Sequence, residues 1–307
     1  MTDDIMVSVY CLTYNHEEYI RDALDGFVKQ KTNFKYEVIV HDDASTDGTA
    51  DIIKEYSEKY PDIIKPILQT ENQYSKGVNI VRRFIKPLMR GKYIAMCEGD
   101  DYWIDEKKLQ KQVEFLEKNK EYISCTCNVD RLNVADNSVE KLCKSTTDHD
   151  MDLYEVLRTW GRGIHLSALM YRREIADIIY SDDRPEMFKI KTAIGDYKIG
   201  VYLALSGKIR YISDTVSLYR HGTKNSWTDK HRSDESLIGM YDDMISILEA
   251  ANKGAGVRER LIFKEMTARY KYQIYTIHNK RICALFMKFN KYARCLINIL
   301  LRRIYHE

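Results

Sequence analysis

The residues best able to do chemistry are Glu98-Gly99-Asp100-Asp101-Tyr102-Trp103, three carboxylates in four positions followed by two aromatics. They follow Tyr93-Ile94-Ala95-Met96-Cys97, an apolar run that reads as a strand buried on both faces. Carboxylates crowded at the end of a buried strand repel one another and need a compensating cation. Glu98 and Asp100, with Asp101 beside them, are oxygen ligands suited to a hard divalent ion that keeps coordination sites free for a phosphate. The simpler alternative is an acidic turn capping a helix that starts near Asp105. The rest of the chain decides between the two.

Two earlier strand ends carry comparable residues. Val7 to Leu12 is a run of β-formers ending in Thr13-Tyr14-Asn15-His16, and Tyr36 to Val40 runs into His41-Asp42-Asp43-Ala44-Ser45-Thr46-Asp47-Gly48-Thr49. Helical spacing follows each, with Tyr19, Ile20, Ala23, Leu24, Phe27 and Val28 after the first and Ile52, Ile53 and Tyr56 after the second. A third strand at 63–68 and a helix at 78–89 lead to the acidic stretch. Such β–α alternation implies a parallel sheet with right-handed crossovers. Its strand-to-helix loops converge on one edge, where ligands bind in open α/β sheets. Taken singly, Asp42, Asp43 and Ser45 are ordinary turn residues.

Beyond Trp103 come a helix marked by Leu109, Val113, Phe115 and Leu116 and a strand at 122–127. The polar stretch 130–163 reads as an insertion over the site, and 163–171 as another strand. Gly195-Asp196-Tyr197 opens a helix through Ala204. Short strands at 208–213 and 216–219 end in Arg220-His221-Gly222, and the remainder is helical.

Of the 307 residues, 44% are apolar and 31% charged, which affords a sizeable core; a net charge of +2 argues against a nucleic-acid binder. The seven cysteines are scattered without a Cys-x-x-Cys, which favours buried thiols over zinc or redox sites. With neither a signal peptide nor an apolar run near the roughly 20 residues that span a bilayer, a cytoplasmic protein is expected. Residues 258–307 hold twelve Lys or Arg against three Glu. The tail interleaves Ile282, Leu285, Phe286 and Phe289 with Lys280, Arg281, Lys288 and Lys291. It would either lie peripherally on an anionic membrane surface or pack on the rest of the chain.

Val7 to Asn15, Asp42 to Thr49 and Glu98 to Trp103 together resemble the successive motifs of family 2 glycosyltransferases, over about residues 5 to 225. The resemblance implies an α/β GT-A fold, a Rossmann-like, mostly parallel sheet flanked by helices, with residues 226–307 as a basic helical extension. It implies inverting transfer of a sugar from a nucleotide-diphosphate donor to a hydroxyl of a glycan or lipid-linked acceptor, as in bacterial surface polysaccharide synthesis. Carried over by position, Asp43 would hydrogen-bond the nucleotide base, with Leu12 and Tyr14 lining its pocket. Asp100 would hold a Mg or Mn ion, Glu98 stands where the family often has the first Asp of Asp-x-Asp, and Asp101 and Trp103 complete the donor side. Asp196 falls where the family has its catalytic base and His221 near a metal-proximal histidine. Trp103, Tyr102 and Trp227 would stack on sugar faces or simply pack. His165 is either an acceptor-site residue or a satisfied structural histidine.

The chemistry suits these roles. Sugar transfer builds negative charge on the departing diphosphate, which a divalent ion offsets as a Lewis acid. One carboxylate opposite the leaving group can take the proton of the attacking hydroxyl, so inversion needs a single base. Two rivals share the sheet. A sugar-nucleotide pyrophosphorylase would have a glycine-rich phosphate loop after the first strand, where this chain has no Gly before Gly26. A non-catalytic carbohydrate-binding protein would have no need of both the acidic triad and Asp196.

Overall fold

The computed structural model describes residues 4–143, 145–159, 163–192, 194–223 and 233–279. Trp227 and the basic tail from Lys280 lie outside them.

The chain enters the sheet through β1 (Ile5–Thr13), crosses by α1 (Ile20–Val28) to β2 (Lys35–Asp42), and by α2 (Thr49–Lys59) to β3 (Ile64–Leu68). Val9 pairs with Val38 and Val7 with Tyr93 in parallel register, so β1 lies between β2 and β4 (Tyr93–Met96). The expected helix at 78–89 is instead a π turn at Val81–Ile85 running into a 3-10 turn at Lys86–Leu88. Pro87 is the physical reason, since it has no N–H to donate to an α-helical ladder.

After β4 the topology changes. A two-residue strand, β5 (Tyr102–Trp103), precedes α3 (Lys108–Lys118) and the long β6 (Tyr122–Asn133). The stretch read as a polar insertion is ordered as β7 (Val139–Lys141), β8 (His149–Met151) and α4 (Leu153–Thr159). Next come β9 (Met170–Arg172), α5 (Arg173–Ile179), α6 (Gly195–Ser206) and β10 (Lys208–His221). The two strands expected at 208–219 form this one strand, whose register against β6 shifts between Ile212 and Thr215. The sheet order is β3-β2-β1-β4-β9-β6-β10-β5, with β7 against β6 and β8 against β10. The long pairings of β1, β2, β3, β4, β6 and β10 are parallel as expected, and the short β9, antiparallel to both β4 and β6, makes the sheet mixed.

Two apolar layers cover the sheet. On one face Val7, Val9, Cys11, Val38, Val40 and Ala95 meet Ile20, Leu24 and Phe27 of α1, Ile53 of α2 and Leu109 and Leu116 of α3. On the other, Tyr10, Ile39, Ile94 and Met96 meet Ile175 and Ile179 of α5 and Ile199 and Leu203 of α6. Each such side chain, fully buried, contributes about 1.5–3 kcal/mol. Cys11, Cys97, Cys125 and Cys127 are buried free thiols within these layers, as the cysteine spacing leads one to expect.

The last described elements, α7 (Asp234–Asn252) and α8 (Val257–His278), form an antiparallel pair. Met240, Met244, Leu248, Phe263 and Met266 pack there with Leu157 of α4 and with Tyr197 and Val201 of α6. Helix α6 is therefore clamped, one side on the sheet and the other on this hairpin. That explains why it is apolar nearly all round. Asp196 rides in its first turn.

Candidate active site

The acidic turn leaves β4 but keeps following β1, because Cys97 N–H donates to Tyr10 O (3.2 Å) and Gly99 N–H to Leu12 O (2.9 Å). A Cβ at Gly99 would stand 2.8 Å from Thr13 Cβ and 2.9 Å from His16 Nδ1, so only glycine lets the β1 loop and the acidic turn approach this closely. His16 thereby comes under the influence of Asp100, and burial holds its imidazole below the usual histidine range.

The three carboxylates diverge from that turn. Glu98 opens onto the cleft, and Asp100 is half-buried, with its Oδ2 accepting from Thr223 Oγ1 (3.2 Å). Asp101 turns inward: it is 1% exposed, its Oδ1 accepts from Arg220 N–H (3.0 Å), and its Oδ2 has no partner among the described residues. Burial, then the charges of Asp100 and Glu98, push the Asp101 carboxyl well above the usual range. Protein packed around Glu98, then Asp100 and Asp196, push its carboxyl upward too. Solvent reaches Glu98 along the cleft wall, so the shift there is smaller than full burial would give.

Trp103 does not face the cleft. It is 4% exposed, meets Phe27 edge-on at 4.9 Å, donates from Nε1 to Ser167 O (2.7 Å), and carries Lys108 Nζ 4.2 Å above its ring. Gly26 of α1 lies so close that a Cβ there would stand 2.8 Å from Trp103 O. Lys108 is itself sealed in, donating to Gln112 Oε1 (2.8 Å), and burial pulls its ammonium down to about 8. The sugar-stacking role expected of Trp103 is corrected accordingly: with both ring faces covered, it supports the acidic turn from beneath. Asp101, expected among the donor-binding residues, likewise lies below the cleft surface.

Arg220 is the residue that sequence reasoning passed over. It ends β10 beside His221, is 7% exposed, donates from Nη1 to Asp100 O (2.8 Å) and pairs through Nη2 with Asp22 of α1. Its guanidinium lies 4.3 Å from the ring centre of Tyr102 and 5.3 Å from that of Tyr19. The available signal was three crowded carboxylates without a nearby cation in the sequence. His221 is half-buried at the same strand end, its ring 6.4 Å from that of Tyr219.

At the neighbouring strand ends, Asn15 adopts φ +57° and Ala44 φ +62°, both in the left-handed region. They are latched together: Asn15 N–H donates to Ser45 Oγ (2.8 Å), Thr46 N–H to Asn15 Oδ1 (2.8 Å), and the Asp42 carboxylate takes Ser45 N–H (3.0 Å) and Oγ–H. Asp43 is buried, with Oδ1 and Oδ2 accepting from Gln73 N–H (2.8 Å) and Tyr74 N–H (3.0 Å). It thus braces the loop after β3 at the rim of the cleft. Leu12 is half-buried and Tyr14 exposed on the same rim.

Asp196 is drawn toward the acidic turn although 96 residues of chain separate it from Asp100. It is half-buried and acts electrostatically on Glu98, and burial raises its carboxyl above the usual range. Asp100 and Asp196 thus both act on Glu98. Among the described residues, no three His, Cys, Asp or Glu side chains are arranged to hold a metal by themselves. Glu98 and Asp100 nevertheless suit a hard ion, being oxygen donors whose mutual repulsion a cation would relieve.

The family model for glycosyl transferase family 2 matches residues 8–178, more than half of the chain. The chain belongs to this family. It is 34% identical over 260 residues to the uncharacterized protein Rv1520 of Mycobacterium tuberculosis, covering 83% of this chain and 70% of that protein. Of solved structures, Staphylococcus aureus TarS 1–349 in complex with UDP-GlcNAc superposes with a TM-score of 0.62 at 21% identity, covering 89% of this chain and 72% of that one. The mannosyltransferase PcManGT of Pyrobaculum calidifontis, in complex with GDP-Man and Mn2+, gives 0.60 at 18% identity over 100% of this chain and 82% of that one. The fold is therefore GT-A, and the chain is a glycosyltransferase.

Replacing Arg220 tests its place in this arrangement. Arg220→Met strands the Asp100 carbonyl and Asp22, and with Asp22 half-exposed the expected loss of stability is about 1–3 kcal/mol. Arg220→Lys keeps the charge without the fork and should fall between. Urea unfolding reads both; a Met variant as stable as the wild type contradicts the assignment.

Proposed function

We propose that the chain inverts the anomeric centre of a sugar as it moves it from a nucleoside-diphosphate donor to a hydroxyl of a glycan or lipid-linked acceptor. One observation carries the reading: a single carboxylate on a helix packed on both sides, Asp196, lies close enough to the acidic turn to push the Glu98 carboxyl upward. Sugar-nucleotide complexes of similarly folded proteins, UDP-GlcNAc for TarS and GDP-Man with Mn2+ for PcManGT, support it.

In this reading the nucleotide lies along the rim made by Leu12, Tyr14 and the Asp43-braced loop, with its diphosphate toward Asp100. Asp100 and Glu98 would hold a Mg or Mn ion, with His221 close by; when bound, the ion offsets charge on the leaving diphosphate. Asp196 takes the proton of the acceptor hydroxyl as that oxygen bonds to the anomeric carbon. The bond from that carbon to the diphosphate oxygen breaks with its electron pair. Burial suits Asp196 to this work, because a carboxylate of raised proton affinity is the stronger base. The packing of its helix through Tyr197, Ile199, Val201 and Leu203 holds it in place, so the proton meets a fixed acceptor.

Residues 280–307 are read here as a peripheral anchor to anionic membrane. The described part of α8 that leads into them exposes Val257, Leu261, Tyr272 and Tyr275 beside Arg260, Lys264 and Lys271. Among the described residues no helix is long and apolar enough to cross a membrane.

Three outcomes are expected. Asp196→Asn should fold and bind nucleoside diphosphate as the wild type does, yet transfer sugar slower by roughly a hundredfold or more; near-normal turnover would end its role as base. Asp100→Ala should lose the strengthening of nucleoside-diphosphate binding that Mn2+ gives the wild type in calorimetry. Equal affinity with Mn2+ and with excess chelator, in the wild type itself, removes the metal from the account. Co-sedimentation with phosphatidylglycerol vesicles should exceed that with phosphatidylcholine and weaken as salt rises. Truncation at residue 279 should abolish it, and equal binding to both vesicles rules the anchor out.

A further inference from the structure

We propose that His165 is a fixed hydrogen-bond donor to an uncharged oxygen of the transferred sugar, and so a determinant of which sugar is accepted. The proposal rests on the glycosyltransferase reading and extends it to the sugar itself.

Position comes first. In the antiparallel pairing of β9 with β4, Met170 stands opposite Ala95. Continuing that register carries the residues before β9 past Cys97 to the acidic turn. His165, which precedes the 3-10 turn Leu166–Ala168, is accordingly within reach of the Asp100 charge.

The ring is then locked. Its Nδ1 accepts from Ser167 N–H (3.3 Å) and lies 2.8 Å from Ser167 Oγ. Ser167 is 1% exposed, is held by Ser217 Oγ (2.9 Å), and gives its carbonyl to Trp103 Nε1 (2.7 Å). The Tyr219 ring lies against the imidazole at 5.0 Å. Trp103, sealed beneath the turn, therefore anchors the serine that holds the half-buried His165 ring.

The protonation state follows from the bonding. An Nδ1 that accepts a backbone N–H carries no proton, so in the neutral ring the proton sits on Nε2. Burial pulls the imidazole down to about 4 in spite of Asp100, which keeps the ring neutral at physiological pH. Nε2 has no hydrogen-bond partner among the described residues. In this tautomer Nε2 can neither ligate a metal nor accept a proton; it can only donate. Phosphate oxygens belong with the cation near Asp100. A neutral N–H within reach of the Asp100 charge fits a sugar hydroxyl or an N-acyl carbonyl. A donor lacking that oxygen would leave the N–H unpaired in a desolvated cleft, which is how a polar site rejects an analogue.

Three substitutions separate this from a merely structural histidine. Asn at this position can keep the Ser167 contact but cannot reach the Nε2 position; Gln can place an N–H there; Leu does neither. The readouts are calorimetric affinity for UDP and for GDP with Mn2+, hydrolysis of UDP-GlcNAc and GDP-mannose, and the melting temperature. His165→Asn and His165→Leu should lose about tenfold or more in nucleotide-sugar hydrolysis, with nucleoside-diphosphate affinity held within about twofold, and His165→Gln should recover most of the loss. The assignment is overturned if His165→Asn hydrolyses like the wild type. It is equally overturned if nucleoside-diphosphate affinity falls in step with hydrolysis, or if only the melting temperature moves and Asn restores it. A wild type that binds nucleoside diphosphate but consumes neither nucleotide sugar overturns the underlying reading instead.

Discussion

Carboxylates crowded onto one turn repel one another, and the rest of this structure depends on how that repulsion is contained. Arg220 contains it. Its main-chain N–H holds one oxygen of Asp101, one arm of its fork holds the Asp100 carbonyl, and the other reaches Asp22 on α1. Because Arg220 comes from β10, the acidic turn is complete only once that far strand has joined the sheet. A guanidinium suits this position because it stays charged when buried, donates in a planar fork, and stacks on Tyr102 and Tyr19. Direct pairing with all three carboxylates would cancel the charge the site needs. Contacts through main-chain atoms and Asp22 leave Glu98 and the Asp100 carboxylate facing the cleft.

A second constraint acts from the opposite wall. A base is useful only if it stays where the hydroxyl will be, and a helix first turn frays unless packing holds it. Here α6 is packed on the sheet through Ile199 and Leu203 and on α7 and α8 through Tyr197 and Val201. The C-terminal hairpin thus shares a core with the residues that carry Asp196. Whatever the basic tail beyond it does, the hairpin helps set the distance across the cleft.

Much of this was legible in the sequence, for reasons that differ by element. The β1, β2 and β4 segments are continuous apolar runs ending in polar clusters, and burial on both faces leaves such runs little other choice. Asp196 could be found because Gly195 and an all-apolar helix frame it. Other features were hidden by tertiary context. Asp214 and Thr215 looked like a break between two strands, whereas a register shift between Ile212 and Thr215 lets β10 run through. The Pro87 segment carries helical spacing but cannot keep the ladder. Trp103, adjacent to carboxylates, resembled a sugar platform; only the contacts of Gly26, Phe27 and Lys108 show it to be core. Arg220 reaches Asp100 across 120 residues and Ser217 reaches Ser167 beneath His165 across 50, and for such pairings local spacing offers no signal.

The central claim is that one carboxylate opposite one leaving group performs a single displacement. The most direct test is the configuration of the sugar released, followed by proton NMR from the first turnovers, as the wild-type enzyme with Mn2+ hydrolyses an α-linked nucleotide sugar. The account predicts that the β-anomer appears first, before mutarotation mixes the two. Initial release of the α-anomer would mean retention, and would contradict a mechanism built on Asp196 alone.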